Sequence, residues 1–160
     1  MNTIISLEEV TELSKHLLDE NKTVVLVGGC FDLLHIGHIR FLQEAKQKGT
    51  VLILLLESDE TIKKVKGPKR PINTQQDRAE ILSALKAVDY IVLLKPDMKN
   101  QDYDQLVIQL KPAIIATTIG DIHRHHKERQ ASLVNATVID VTAPISDKST
   151  TSLIKLLDEL

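Results

Sequence analysis

Aromatic residues are almost missing from this chain. It has no tryptophan, two phenylalanines and two tyrosines, so its core has to be aliphatic. It also lacks a strong charge of either sign. A net charge of −2 gives no global attraction to nucleic acid or to an anionic membrane, so any anion site must be built locally. Cysteine occurs once, at Cys30, which rules out an intramolecular disulfide and favours a reducing cytoplasm. No apolar run approaches the roughly 20 residues of a membrane span. The first six residues have neither the basic end nor the long apolar stretch of a signal peptide. Two nucleotide-binding signatures are missing as well. Without Gly-x-Gly-x-x-Gly after the first strand a dinucleotide-dependent dehydrogenase is disfavoured, and without Gly-x-x-x-x-Gly-Lys-Ser/Thr the chain is not a P-loop protein. What remains is a soluble cytoplasmic domain, and 160 residues with 42% hydrophobic content suffice for one core.

Short apolar runs punctuate the chain at residues 24–27, 51–56, 90–94, 113–116 and 137–141. Each is four to six residues long and does not alternate cleanly, as strands covered on both faces of a parallel sheet read. Helical segments fall between them, at about 36–47, 75–85 (capped by Thr74), 104–110 and 127–133, with a closing helix at 150–159. Ser6 and Glu9 form a capping box ahead of Leu7, Val10, Leu13 and Leu17, which predicts an N-terminal helix over 7–19. The pattern predicts an α/β fold: one Rossmann-like domain over 1–160 with an open parallel sheet of about five strands and helices on both faces. In it an N-terminal helix over 1–20 precedes a core over 22–160. The polar stretch 62–71, rich in lysine and ending Gly-Pro-Lys-Arg-Pro, reads as a mobile basic loop.

The richest segment is Gly28-Gly29-Cys30-Phe31-Asp32-Leu33-Leu34-His35-Ile36-Gly37-His38. It joins the first apolar run to a helix. Such a turn aims backbone N–H groups and the positive end of a helix at one point, which suits phosphate. Gly28 and Gly29 let the backbone approach a ligand. His35 and His38, three apart, can face one site and donate to phosphate oxygens in a transition state. A single histidine here would pass for an ordinary cap, whereas the whole string points to a phosphate site.

Three further groups carry chemistry. Lys46, Lys63, Lys64, Lys66, Lys69 and Arg70 supply positive charge, and Arg70 stands out because a guanidinium binds phosphate bidentately. Ser149-Thr150-Thr151 puts hydroxyls and free N–H groups at a helix start, another anion site. Arg78 lies inside a helix and serves equally well as a structural partner of an acidic residue. His123-Arg124-His125-His126-Lys127-Glu128-Arg129 fits no common zinc spacing and reads as a solvated, basic helix start rather than a metal site.

Gly29-Cys30-Phe31-Asp32 followed by His35-Ile36-Gly37-His38 resembles the Gly-x-Phe-Asp and His-x-Gly-His motifs of the cytidylyltransferase-like nucleotidyltransferases. Lys46, Glu57-Ser58-Asp59, Arg70-Pro71-Ile72-Asn73, Gln76-Asp77-Arg78 and Ser149-Thr150-Thr151 extend the resemblance, and several point to the branch making nucleotide-activated heptose. One segment departs from it. Heptose-type members carry Lys-Gly-Gly-Asp-Tyr after the fourth strand, where this chain has Thr117-Thr118-Ile119-Gly120-Asp121-Ile122.

The resemblance implies transfer of a nucleoside monophosphate from ATP or CTP to a phosphorylated sugar or alcohol, with release of pyrophosphate. Heptose 1-phosphate with ATP is the first substrate pair. A glycerol 3-phosphate-type cytidylyltransferase and an adenylyltransferase for flavin or coenzyme A precursors are alternatives, and a non-catalytic nucleotide-binding regulatory module is a different class on the same fold. The implied roles are His35 and His38 at the reacting phosphates and Lys46 on the β- and γ-phosphates. Gly29, Cys30, Phe31, Asp121 and Ser149–Thr151 would hold the nucleotide, and Asp32 and Arg70 the acceptor. Mg²⁺ would accompany the triphosphate, and the chain would form a homodimer.

Overall fold

A computed structural model describes residues 3–143. Six parallel strands form one sheet: β1 (Ile4–Ile5), β2 (Val24–Gly29), β3 (Val51–Leu56), β4 (Tyr90–Leu93), β5 (Ile114–Thr118) and β6 (Thr137–Thr142). Their order is β1-β4-β3-β2-β5-β6. The five expected strands are present, and the sixth is β1, an edge strand of two residues pairing Ile4 with Ile91 and Ile5 with Val92. Two residues are too few to show a period, so β1 is invisible to hydrophobic patterning.

The helices are α1 (Val10–Asp19), α2 (Ile36–Lys46), α3 (Asp59–Lys66), α4 (Gln75–Ser83), α5 (Asn100–Leu110) and α6 (Arg124–Val134), and a 3-10 turn over Leu7–Glu9 leads into α1. Alternate strand residues feed two apolar layers. Val24 and Leu26 point to one, with Leu13, Leu17, Leu106 and Leu110 from α1 and α5. Val25 and Val27 point to the other, with Leu42, Ala45, Ala79 and Leu82 from α2 and α4. β3 is buried along its whole length, as a central strand covered on both faces requires.

The basic stretch expected to be a loop from residue 62 is instead helical as far as Lys66. Ser58 caps α3 by accepting the Thr61 N–H at 3.1 Å, and Ile62 is fully buried beneath it. Asp59 and Glu60 lie in its first turn and Lys63, Lys64 and Lys66 in its last, the arrangement a helix dipole favours. Gly67, at φ +96°, then ends it. The lysines alone suggested a loop, but the Ser-Asp-Glu start decides the structure. The predicted closing helix 150–159 and Ser149–Thr151 lie outside the described residues.

The sheet order reverses beside β2. β3 and β4 follow on one side, whereas β5 and β6 lie on the other. Ligands of open α/β sheets sit beyond the carboxyl ends of the strands at such a switch point. The glycine- and histidine-rich turn leaves β2 there.

Candidate active site

β2 ends on Gly28 and Gly29 because the turn after it is tight. A Cβ on Gly29 would lie 2.9 Å from Cε2 of Phe31, whose ring folds back over the strand end. Phe31 itself has φ +44°, left-handed backbone that a bulky residue rarely adopts. Its neighbours hold it there. The ring is buried, and Asp32 next to it is 3% exposed.

Asp32 acts as a staple. Its carboxylate accepts Arg70 Nε at 2.5 Å, Ile72 N at 2.8 Å and Asn73 N at 3.0 Å, while its own carbonyl accepts Asn73 Nδ2 at 3.0 Å. Burial pushes this carboxyl up, but the Asn73 and Ile72 N–H groups and the Arg70 guanidinium outweigh burial and hold it below the usual value. Arg70 is directed at Asp32 and is not among the residues lining the main cavity. Its Nη2 is buried without a partner.

Arg78 ties the strand ends together. Nη1 donates to the Cys30 carbonyl at 2.6 Å, Nη2 to the Glu57 carbonyl at 2.8 Å and to Asp59 Oδ1 at 2.7 Å, and Nε to the Asn73 carbonyl at 3.2 Å. The side chain is fully buried. Of its two readings in sequence, the structural one holds: it sets the β2 turn against the end of β3. Burial also raises the Cys30 thiol, with Glu57 adding to the rise, so Cys30 is not an activated nucleophile.

The two histidines cap α2 reciprocally. His35 is the N-cap, its Nδ1 accepting the Gly37 N–H at 3.1 Å, while His38 Nδ1 accepts the His35 N–H at 3.3 Å. Their rings lie 3.9 Å apart, and Phe31 packs 5.2 Å from the His38 ring. A ring nitrogen that accepts a hydrogen bond carries no proton, so each neutral imidazole has its proton on Nε2. Burial lowers both pKa values. For His38, burial, then His35 and Lys66, bring it to about 4. Near neutral pH the pair therefore offers two uncharged Nε2–H donors over the N-terminus of α2.

A cavity of about 420 Å³ opens at this point. On the β2 side it is lined by Gly28, Gly29, Cys30, Phe31, Asp32, His35, Gly37 and His38. Across the switch point, β5 and its loop contribute Thr117, Thr118 and Asp121, and α6 contributes Lys127, with His123 at its N-cap. A register shift between Thr117 and Thr118 marks a bulge where β5 pairs β6, which brings Thr142 to the same wall.

The structure thus brings Gly29, Cys30, Phe31, Asp32, His35, His38 and Asp121 to one cavity. Lys46 is a correction. It ends α2 at the opposite, amino edge of the sheet, where its ammonium donates to Asp89 Oδ2 and to the Thr50 carbonyl, both at 2.5 Å. Eleven helical residues carry it about 16 Å from the turn that α2 starts on, so it cannot reach a phosphate bound there. Ser149, Thr150 and Thr151 lie outside the described residues. Sequence reading missed Lys127 and Lys66 as cavity residues. Lys66 looked like one charge in a loop. Lys127 was placed at the start of a solvated helix, but α6 begins at Arg124, and that start turns Lys127 inward. Among the described residues no cluster of three His, Cys, Asp or Glu side chains forms that could hold a metal ion.

A parallel sheet with a phosphate-type helix cradle at its switch point, two imidazole donors and a nucleotide-sized cavity defines a nucleotidyltransferase domain. The chain belongs to the cytidylyltransferase-like family, whose model matches residues 26–155. It is similar to the bifunctional protein HldE of Aliarcobacter butzleri, with 37% identity over 98% of this chain and 31% of that protein. The HldE of a Nitratiruptor species is 44% identical over 68% of this chain and 22% of its own length. The chain thus spans under a third of the curated relatives it matches. Two crystal structures share the fold. One is the lipopolysaccharide core biosynthesis protein of Thermoplasma volcanium, with TM-score 0.62 and 30% identity over 79% of this chain and 99% of that one. The other is pantoate-beta-alanine ligase of Francisella tularensis complexed with beta-gamma ATP and beta-alanine. Its TM-score is also 0.62, at 15% identity over 99% of this chain and 77% of that one, and it bears on the fold alone. Among the described residues no helix is long and apolar enough to cross a membrane.

Proposed function

We propose that this domain transfers a nucleoside monophosphate from ATP or CTP to the phosphate of a small molecule, with heptose 1-phosphate and ATP as the substrate pair. An oxygen of the acceptor phosphate attacks the α-phosphorus. The bond to the β-phosphate oxygen breaks, and pyrophosphate leaves with that electron pair. The acceptor phosphate is already ionised near neutral pH, so the chain must align the partners and stabilise developing charge rather than remove a proton. The observation that carries this reading is the reciprocal histidine cap. It leaves His35 and His38 as paired Nε2–H donors at a helix N-terminus, where charge would build on the α- and β-phosphates.

The remaining roles belong to the same proposal. The N–H groups of Cys30 and Phe31 cradle the α-phosphate. Arg70, held by Asp32, is the residue assigned to the acceptor phosphate. Ser149, Thr150 and Thr151 hold the departing pyrophosphate. Mg²⁺ does not fit a protein cage here: both cavity carboxylates, Asp32 and Asp121, are engaged internally and the histidine donors turn N–H groups to the cavity. A divalent ion belongs instead to the triphosphate as part of the substrate, neutralising its charge and keeping its own waters. The names of the relatives support a sugar acceptor, one being a lipopolysaccharide core biosynthesis protein. A homodimer is part of the same reading, and light scattering on the purified chain tests it.

Pyrophosphate release, measured with ATP and CTP across a panel of sugar and alcohol phosphates, tests the function. Turnover is expected with ATP and heptose 1-phosphate. Turnover only with CTP and glycerol 3-phosphate would move the chain to the alcohol-phosphate branch. Tight nucleotide binding with no turnover on any acceptor would make it a binding module.

A further inference from the structure

The wall opposite the histidines holds a closed polar triangle. Thr117, 1% exposed at the end of β5, donates its hydroxyl to Asp121 Oδ2 at 2.6 Å. Lys127 reaches back from the second turn of α6, donating to Thr117 Oγ1 at 3.0 Å and pairing with Asp121 Oδ2. Asp121 Oδ1 is taken by the His123 N–H at 2.9 Å. Burial raises the Asp121 carboxyl, but Lys127, Thr117 and the His123 N–H prevail and hold it at about 2, so it stays ionised at any working pH.

Hydrogen-bond capacity then separates the members. Thr117 donates once and accepts once inside the triangle. Asp121 has both oxygens engaged. An ammonium has three donors and no acceptor. Lys127 uses two within the triangle, and among the described residues the third has no partner. Its side chain is only 24% exposed and lines the cavity. The outstanding donor on this wall is thus a cation already fixed in place, so a ligand meets it with little ordering cost.

We propose that Lys127 is a nucleotide-contacting residue that grips an anionic phosphate oxygen, and that Asp121 and Thr117 are positioning residues that aim it. This deepens the nucleotidyltransferase reading and rests on it. It also reassigns the contact on this wall from Asp121 to Lys127. An anion is the fitting ligand because the cavity offers donors on every side: the histidine Nε2–H groups at the α2 N-terminus, Lys66 from α3 and Lys127 from α6. Its carboxylates face their own internal partners.

The test is calorimetric binding of ATP, inorganic tripolyphosphate and adenosine to the whole chain, with melting temperature as a fold control. Lys127→Met should raise Kd for ATP and for tripolyphosphate about 10- to 100-fold, leave adenosine unchanged and keep the fold. Lys127→Arg should stay within about threefold of the parent. Asp121→Asn should weaken ATP binding in the parent but add nothing on top of Lys127→Met, because a positioning residue has no effect once its target is gone. An unchanged ATP affinity in Lys127→Met overturns the proposal. So does an equal loss for adenosine, or a loss in Asp121→Asn that adds fully to that of Lys127→Met. Failure of the function itself is separate. A chain that binds ATP without turning over any acceptor refutes the transferase reading, while the binding arms still decide for or against Lys127.

Discussion

His38 Nδ1 accepts the backbone N–H of His35 at 3.3 Å, and this bond makes the pair both a helix cap and a donor pair. The structural and chemical readings of the motif are therefore not rivals. The cap fixes the tautomer, and the tautomer sets what the cavity is offered. The two roles separate by mutation. His38→Asn keeps an acceptor near the position of Nδ1 but removes the Nε2–H donor. Turnover in the transfer assay should fall by about 100- to 1,000-fold, the usual effect of losing one transition-state donor. The melting temperature should stay close to that of the parent. A His38→Asn variant with near-parental kcat would show that the ring is only a cap.

The same histidine gives a pH dependence. Its pKa in the folded chain, about 4, lies below the ordinary value of 6.5, chiefly through burial. Folding thus favours the neutral ring. The associated stability is complete above the unfolded value and is lost as pH falls from about 6.5 toward 4. Urea midpoints of the parent should drop between about pH 7 and pH 4.5 by more than those of His38→Asn, which has no proton to bind there. Parallel curves for the two proteins would mean that the ring titrates normally in the folded state.

The sheet and the β2 turn were legible because their signals are local. The four inner strands announce themselves as buried apolar runs and the edge strand β6, none of whose residues is buried, as a β-branched one, and the Gly29–His38 string contains its own cap. What was not legible depends on where an element begins or where a long side chain goes. Lys46 occupies a plausible position in sequence, but eleven helical residues carry it to the other edge of the sheet, where Asp89 awaits it. Asp32 and Arg70 were legible as important residues. Their pairing over 38 positions was not, and it converts Asp32 from an acceptor ligand into the staple of the 70–73 loop. Lys127 depended on the true start of α6, which has no strong side-chain cap to mark it.

Arg78 should prove to be the costliest single residue to remove near the site. Its guanidinium satisfies three carbonyls and the Asp59 carboxylate with no exposure to water. Arg78→Met leaves those acceptors without donors and a half-buried carboxylate without its charge partner. Breaking a buried pair in this way costs about 3–5 kcal/mol. Arg78→Lys should recover little, since one ammonium cannot span the ends of β2 and β3 together. Denaturant unfolding of the two variants measures the difference. A loss under about 1 kcal/mol for Arg78→Met would mean that water replaces the guanidinium at no great cost.

Lys46 should behave in the opposite way to a triphosphate ligand. Its ammonium meets Asp89 at 2.5 Å, and Asp89 Oδ2 also accepts the Leu52 N–H at 2.7 Å, so the pair pins the end of α2 to the start of β3 and β4. Both side chains remain about one-third exposed, which limits the gain to about 1 kcal/mol. Lys46→Met should lower stability by that amount in denaturant unfolding. Its kcat and KM for the nucleotide should remain within about twofold of the parent, since a change that small is under 0.5 kcal/mol of transition-state binding. Replacing Asp89 with Asn should mimic the stability loss and, in combination with Lys46→Met, add little further, because the two share one interaction. A drop of about tenfold or more in kcat/KM for Lys46→Met, with its stability preserved, would instead give the lysine a part in turnover and overturn its structural assignment.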